Sequence, residues 1–362
     1  MIRNLFSRLR VKKRNVRESA PSLTRYERRA LEVPGVKPDG LSYALLDEMQ
    51  KDSMIQTAIS IKKLGSIAAE TQIAPADSSA EAHRRVEFVE EAFERMEGSP
   101  RTILESAMDA FAKGWSLQEL IFEESGGRIW LARAQPKNPA QFGLQMDAFG
   151  NVERLRLRLP GEVERELPRE KFAIYVNRSS YGLPMGRSDL EAAYPHWTSK
   201  QALLKAWRFH LERFASPTVT AQFQRGVPES ERAEMLGALN RLQDVTSIVF
   251  PNDFEVGVLG GNKESSTGFQ DAIEFHNREM ARAILGQTLT TDEGRRVGSL
   301  ALGKVHLQVL LLQLHAVRRE LADSVMTEQV IRPLIEMNFG PGWIPRFEFS
   351  GAQLDAFAEG RI

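Results

Sequence analysis

Gly298, Gly303 and Lys304 have the spacing of a phosphate-binding loop, in which backbone N–H groups cradle phosphates and the lysine meets their charge. Val305 stands where Ser or Thr would hold magnesium, however, and leucines fill a stretch that needs a glycine-rich cradle. Gly182, Gly186, Arg187 and Ser188 imitate the motif with one residue too few and arginine for lysine. Neither reads as nucleotide binding. The six histidines, His83, His196, His210, His276, His306 and His315, form no short metal-ligand pattern. His306 and His315 fall on opposite sides of one helix. Each histidine reads singly, as buried or solvated. The carboxylates sit mostly beside lysine and arginine, as solvated helix faces do. The expectation is a protein that is no enzyme, with no catalytic residues, no metal and no cofactor.

What stands out instead is a hydroxyl-rich connector. After Gly286 the chain reads Gln287-Thr288-Leu289-Thr290-Thr291-Asp292, and Gly294 and Gly298 flank Arg295 and Arg296. On its own this is an ordinary turn with local side-chain caps.

Two helices must position it. The first opens at Thr267 with Gln270 as a capping box, and Asp271 and Glu274 suit the positive end of its dipole. Phe269, Ile273, Met280 and Ile284 form its stripe, and Gly286 ends it. The second starts near Ser299. Leu300, Leu302, Val305, Leu307, Val309–Leu312, Leu314, Val317 and Leu321 cover well over half its circumference, so it packs on two sides, in a core or against another subunit.

The chain of 362 residues is 42% apolar and can bury a core of one or two domains. It has no cysteine, which excludes disulfides and thiolate metal sites and suits a reducing cytoplasm. Its net charge is zero, which argues against coating DNA by bulk potential but not against a conduit that must not grip. The first thirty residues break the neutrality: Arg3, Arg8, Arg10, Lys12, Lys13, Arg14, Arg17, Arg25, Arg28 and Arg29 oppose only Glu18 and Glu27. This block reads as a flexible basic arm, or as one that touches DNA or an acidic partner. Ile2, Leu5, Phe6 and Leu9 could give a short membrane-surface face, but nothing following them resembles a signal peptide.

Residues 41–72 carry a helical pattern (Leu45, Leu46, Met49, Ile55, Ile59, Leu64), followed by helices over 80–96 and 103–111. Residues 116–122 and 128–132 read as a hairpin around Ser125-Gly126-Gly127, and 142–146, 152–159 and 172–176 as strands. A long helix over 188–215 is capped by Ser188 and Glu191 and interrupted by Pro195. Its stripe includes Trp197, Leu204, Trp207, Leu211 and Phe214, with core or subunit packing preferred over base stacking. Residues 219–224, a charged helix over 229–244, a strand at 247–250 and residues 254–259 lie between it and the Thr267 helix, as a small α/β insertion. The fold class is α+β.

Ala283-Ile284-Leu285-Gly286-Gln287-Thr288-Leu289-Thr290-Thr291 resembles the hallmark segment of the Mu-type phage portal proteins. Gly186-Arg187-Ser188-Asp189-Leu190, with Trp197, Lys200, Trp207, Phe209, Glu212, Arg213, Phe214 and Pro217, is similar to the family's glycine-led entry into a long helix ending before a proline. The resemblance spans residues 41–349. It implies a portal fold: a basic arm (1–40), a mixed α/β wing (41–186), stem helices (187–216 and 263–286) around a small α/β clip (217–262), a channel loop (287–298), a long wing/core helix (299–340), and a wing strand with a short tail (341–362). It also implies a ring, normally of twelve copies, at one capsid vertex of a phage or prophage virion assembled in the bacterial cytoplasm. Double-stranded DNA would pass through non-specifically during packaging and ejection. Terminase, head-completion or adaptor proteins, capsid and scaffold proteins would be partners, and no membrane. Gln287, Thr288, Leu289, Thr290, Thr291, Arg295 and Arg296 would line the channel loop. Trp197, Trp207, Leu307, Leu311 and Leu314 would pack subunits. The tail after Phe349 is shorter than in portals of this type, which implies a minimal, absent or truncated helical crown. The rival expectation is a helical scaffold or adaptor that never touches DNA and uses its wide apolar helices to dimerise.

Overall fold

The computed structural model describes residues 23–37, 40–147, 151–179, 183–214, 218–222, 228–241, 255–259, 264–287 and 300–350. Contacts divide the chain into two units, one formed by residues 1–194 and 280–362, the other by Pro195–Glu279.

The first unit begins within the stretch read as a basic arm. The arm expected through residue 40 contains α1 (Arg25–Glu32), closed by a capping box between Thr24 and Glu27. Leu31 is fully buried and joins Leu23 in the core, which is enough to hold a helix despite the surrounding arginines. Next come α2 (Tyr43–Met49), α3 (Ser53–Ile67, capped by Asp52) and β1 (Thr71–Ala74). Residues 71–72 were expected to be helical. Then follow α4 (Ala80–Arg95), capped by Ser79, and α5 (Pro100–Ala107), capped by Ser99 with proline at its first position. α6 (Ala110–Lys113) ends at Gly114, whose φ of +90° suits glycine.

β2 (Trp115–Ser125) and β3 (Arg128–Lys137) form the expected hairpin, with Gly126 and Gly127 at φ +63° and +71° as a type I′ turn requires. After β4 (Phe142–Met146) and β5 (Val152–Leu157) comes an unexpected strand, β6 (Arg165–Pro168), before β7 (Phe172–Val176). The sheets run β3-β2-β7 and β4-β5-β6, antiparallel throughout. One core lies among them: Trp115, Leu117, Phe142, Leu144, Leu155, Phe172 and Ile174, joined by Met185. Trp115 satisfies its indole N–H on the Tyr43 hydroxyl at 2.6 Å, as a buried indole must.

Both long helices straddle the two units: α7 (Leu190–Phe214) is divided at Tyr194/Pro195 and α9 (Glu264–Leu285) at Glu279/Met280. Between them the second unit holds β8 (Thr218–Gln222), α8 (Glu229–Arg241) and β9 (Glu255–Leu259), with β8 antiparallel to β9. The expected strand over 247–250 lies outside the described residues. α9 begins three residues before the expected cap. Thr267 therefore sits inside the helix, and Gln270 reaches forward to Glu274 (3.1 Å) instead of back.

Back in the first unit, α10 (Leu300–Glu320) continues without a break into a π-helical segment, Leu321–Ile331, and then α11 (Arg332–Phe339). β10 (Arg346–Phe349) pairs with β1, setting Ile73 opposite Phe347. The π segment is braced on both sides. The Gln329 amide accepts the Ile174 N–H and donates to the Ile174 carbonyl, each at 2.8 Å, so it stands in for a strand at the free edge of β7. Thr327 accepts the Phe347 N–H of β10 at 3.1 Å.

Candidate functional site

The start of α7 is set by two glycines. At Gly186 (φ +52°) an added Cβ would lie 2.2 Å from the Asn177 carbonyl oxygen and 2.5 Å from that of Gly114. Only glycine allows so close a backbone crossing. It delivers Ser188 and Asp189 onto the end of α6. Ser188 Oγ accepts the Leu190 N–H (3.0 Å) and donates to the Ala112 carbonyl (2.6 Å), while its own N–H reaches Glu191 (3.3 Å), so the expected cap is present.

Asp189 is completely buried and gathers three donors: Lys62 Nζ at 2.5 Å, Asn177 Nδ2 at 3.0 Å and Arg178 Nε at 3.0 Å. Lys62 also lies 4.2 Å from the centre of the Phe111 ring. Burial pushes the Lys62 ammonium below its ordinary pKa, and the Asp189 charge and hydrogen bond oppose that shift. Arg178, next in chain to Asn177, holds a left-handed φ of +48°. This charge node ties α3 and the turn after β7 to the first turn of α7.

The end of α9 is equally constrained. Met280, Ala281, Ile284 and Leu285 are buried. Gly286 closes the helix with φ +70° and a hydrogen bond to the Arg282 carbonyl (2.8 Å), and a Cβ there would come within 2.5 Å of Gln313 Nε2. Gln287 is buried at 2% exposure, beside that cap. Thr288, Leu289, Thr290, Thr291, Arg295 and Arg296 lie outside the described residues. Gly303 and Lys304 lie within the helical backbone of α10.

α10 packs on α3 at Gly65, where any Cβ would meet Leu314 at 2.6 Å. Arg318 donates to the Ser66 and Gly65 carbonyls (2.9 and 2.6 Å) and so closes the C-terminal end of α3. Leu314 is buried within its own chain, at 4% exposure. Leu307 and Leu311 are half-buried, while Val309 and Leu312, which were not nominated, are exposed at 41% and 68%.

In the second unit Trp207 stacks nearly parallel on Phe269 (centroids 6.5 Å, planes 7° apart), and His210 approaches the same ring at 5.7 Å. Trp197 is half-buried. His196 and His276, read singly in the sequence, meet through their Nδ1 atoms at 3.1 Å. Eighty positions separate them, so no local spacing could have revealed the pair, just as none links Lys62 to Asp189. Phe209 and Leu211 of α7, Leu236 of α8 and Phe275 of α9 remain exposed. Among the described residues no helix is long and apolar enough to cross a membrane.

The sequence model of a family described as the portal protein of Mu bacteriophage matches residues 43–359. The Mu-like prophage FluMu protein gp29 of Haemophilus influenzae is 26% identical over 324 residues, covering 87% of this chain and 61% of that protein. The portal protein of Escherichia phage Mu is 24% identical over 293 residues, 81% of this chain and 56% of its own length. The chain therefore spans roughly three fifths of these relatives. Among solved structures, a chain from the neck of a native gene transfer agent particle computed with C12 symmetry superposes with a TM-score of 0.63 at 13% identity, covering 91% of this chain and 90% of that one. A chain of the native gene transfer agent virion gives 0.63 at 11% identity, covering 88% and 86%. At these identities the structural match speaks for the fold.

Proposed function

The chain belongs to the family of Mu bacteriophage portal proteins, and from that premise we propose that it is the ring-forming subunit of a portal, about twelve copies of which form the channel for DNA at a capsid vertex. The observation that carries this reading is the route of the chain. Two long helices, α7 and α9, each pass from the first unit into the second, and among the described residues the second unit holds β8, α8 and β9 between them. That order fits stem helices (187–216 and 263–286) around a clip (217–262), with residues 41–186, 299–340 and the strand after 341 making up the wing. The basic arm then shortens to the residues before Leu23. Residues 287–298 join the end of α9 to α10 and would form the channel loop.

Closed rings need two different contact surfaces on each copy. Exposed leucine and phenylalanine on the stem helices (Phe209, Leu211, Phe275) and exposed Val309 and Leu312 on α10 supply apolar surface for neighbouring copies. Leu307, Leu311, Trp197 and Trp207 would back these faces. The proposed role is structural, in the virion, with terminase, head-completion, capsid and scaffold proteins as partners. Double-stranded DNA would pass without sequence recognition, and a neutral chain with hydroxyl and amide groups in its loop favours passage over grip.

The test is assembly of the purified full-length chain, read by negative-stain microscopy and mass photometry. Rings of about twelve copies are expected, and Phe209→Glu should weaken them by burying unpaired charge between copies. A stable dimer at assembly concentrations would overturn the portal reading and favour a scaffold or adaptor.

A further inference from the structure

The strongest observation outside the proposed channel is the histidine pair of the second unit. His196 Nδ1 and His276 Nδ1 are 3.1 Å apart, with ring centroids at 5.4 Å and planes inclined by 48°. The centroid separation exceeds the nitrogen separation by about the two ring radii, so the nitrogens meet nearly head-on. A neutral imidazole has one N–H donor and one lone-pair acceptor. A head-on contact at this distance is therefore an N–H···N hydrogen bond, with one proton between the two atoms. A shared metal ion would sit off the line joining the nitrogens, at about 2.0–2.1 Å from each, and would need lone pairs that converge instead of oppose.

We propose that His196 and His276 form a one-proton fastener between α7 and α9, closed when at least one ring is neutral and opened when both carry charge. With both nitrogens protonated, the hydrogen bond is lost and two cations face each other at contact distance. The surroundings do not hold two charges easily. Phe275 packs against both rings, edge-on to each, at 6.1 Å from His196 and 5.2 Å from His276. The charged groups one turn away on these faces are Lys200 on α7, itself buried, and Glu279 on α9. Burial, and after it the charge of His196, pushes His276 below its ordinary value of 6.5, with Glu279 opposing. The sign follows. As the pH drops below 6.5, the unfolded chain takes up a proton at His276 that the folded chain resists, so stability is lost toward acid and complete above that range. Imidazole is the side chain whose unperturbed titration falls in this window. The pair lies within one copy and does not depend on ring formation.

Hydrogen–deuterium exchange of the full chain, corrected for intrinsic rates, tests it on peptides from 195–212 and 267–279. Wild-type protection should fall about tenfold per unit of pKa depression between about pH 7 and about pH 5. In His196→Gln and His276→Gln, which keep an amide but cannot titrate there, it should fall less. Equal pH dependence in wild type and both variants would overturn the proposal. Should the variants fail to fold, histidine C2–H exchange on the wild type reads the titration directly. One member of the pair should then titrate below the solvated histidines, and ordinary titration of both would overturn the proposal. A chelator-reversible gain of protection with Zn2+ at neutral pH would also overturn it, assigning the pair to a metal.

Discussion

Asp189 shows what one buried charge does for a long helix. Its three donors come from α3 and from the turn after β7, so its loss unties both from the first turn of α7. A buried ion pair is not strongly stabilising in itself, but removing one partner leaves the other charged and dry. Asp189→Ala or Lys62→Ala should therefore cost about 3–5 kcal/mol, read as a loss in denaturant unfolding of the first unit. The double substitution Lys62→Met with Asp189→Leu should be less damaging than the sum of the single losses. Strict additivity would show that the two charges do not act as a pair. The channel-loop proposal is also tested at this scale. Thr290→Lys with Thr291→Lys should leave rings intact but lower DNA content per particle, since each added cation gains phosphate contacts and counterion release. Wild-type DNA content would return residues 287–298 to the status of an ordinary turn.

Among the elements, the run from α10 to α11 is the most informative. A π segment of eleven residues is rare, and π turns gather where a helix has a specific task. Here the wider turns aim Gln329 at both backbone groups of Ile174, and the same amide nitrogen reaches the Ser324 carbonyl at 2.6 Å. Gln329→Ala should destabilise the first unit by about 1–3 kcal/mol for each buried group left unpaired. Gln329→Glu should recover only part, because a carboxylate keeps the Ile174 N–H and Arg169 contacts but leaves the Ile174 and Ser324 carbonyls without a donor. A thermal melt unchanged by both variants would remove this account of the π segment. At the other end of the connector, Gly286→Ala should cost about 1–2 kcal/mol from its left-handed backbone. Gln313→Ala should not rescue it, because relieving the contact leaves φ unchanged.

At the scale of the whole molecule, the division into two units locates the docking prediction. If residues 217–262 are the clip, reversing the charges of Glu229, Glu231 and Arg232, all exposed at the start of α8, should weaken terminase binding while rings persist. Rim charges act mostly on encounter, so the loss should be larger at low salt. Rings that bind terminase as well as wild type would take the clip assignment away from this segment.

Local pattern alone determined much of this protein. Ser188 with Glu191 announces a helix start, Gly126-Gly127 announces a hairpin, and the Gly286 stop with the threonines after it carries the family resemblance. These signals act over a few residues, where the backbone's own sterics and orphan N–H groups decide the outcome. The tertiary structure alone decided what depends on partners distant in sequence. β1 is a strand because β10 arrives beside it, and α1 is ordered because Leu31 finds a core. Leu314 is internal because Gly65 leaves it room, while Val309 and Leu312 on the same helix stay exposed. Hydrophobic periodicity says that a face will be covered, but only the packed chain decides whether its own α3 or another copy covers it. The pairing of His196 with His276 and of Lys62 with Asp189 belongs to the same class, since a charge or a proton responds to distance in space and not to spacing along the chain.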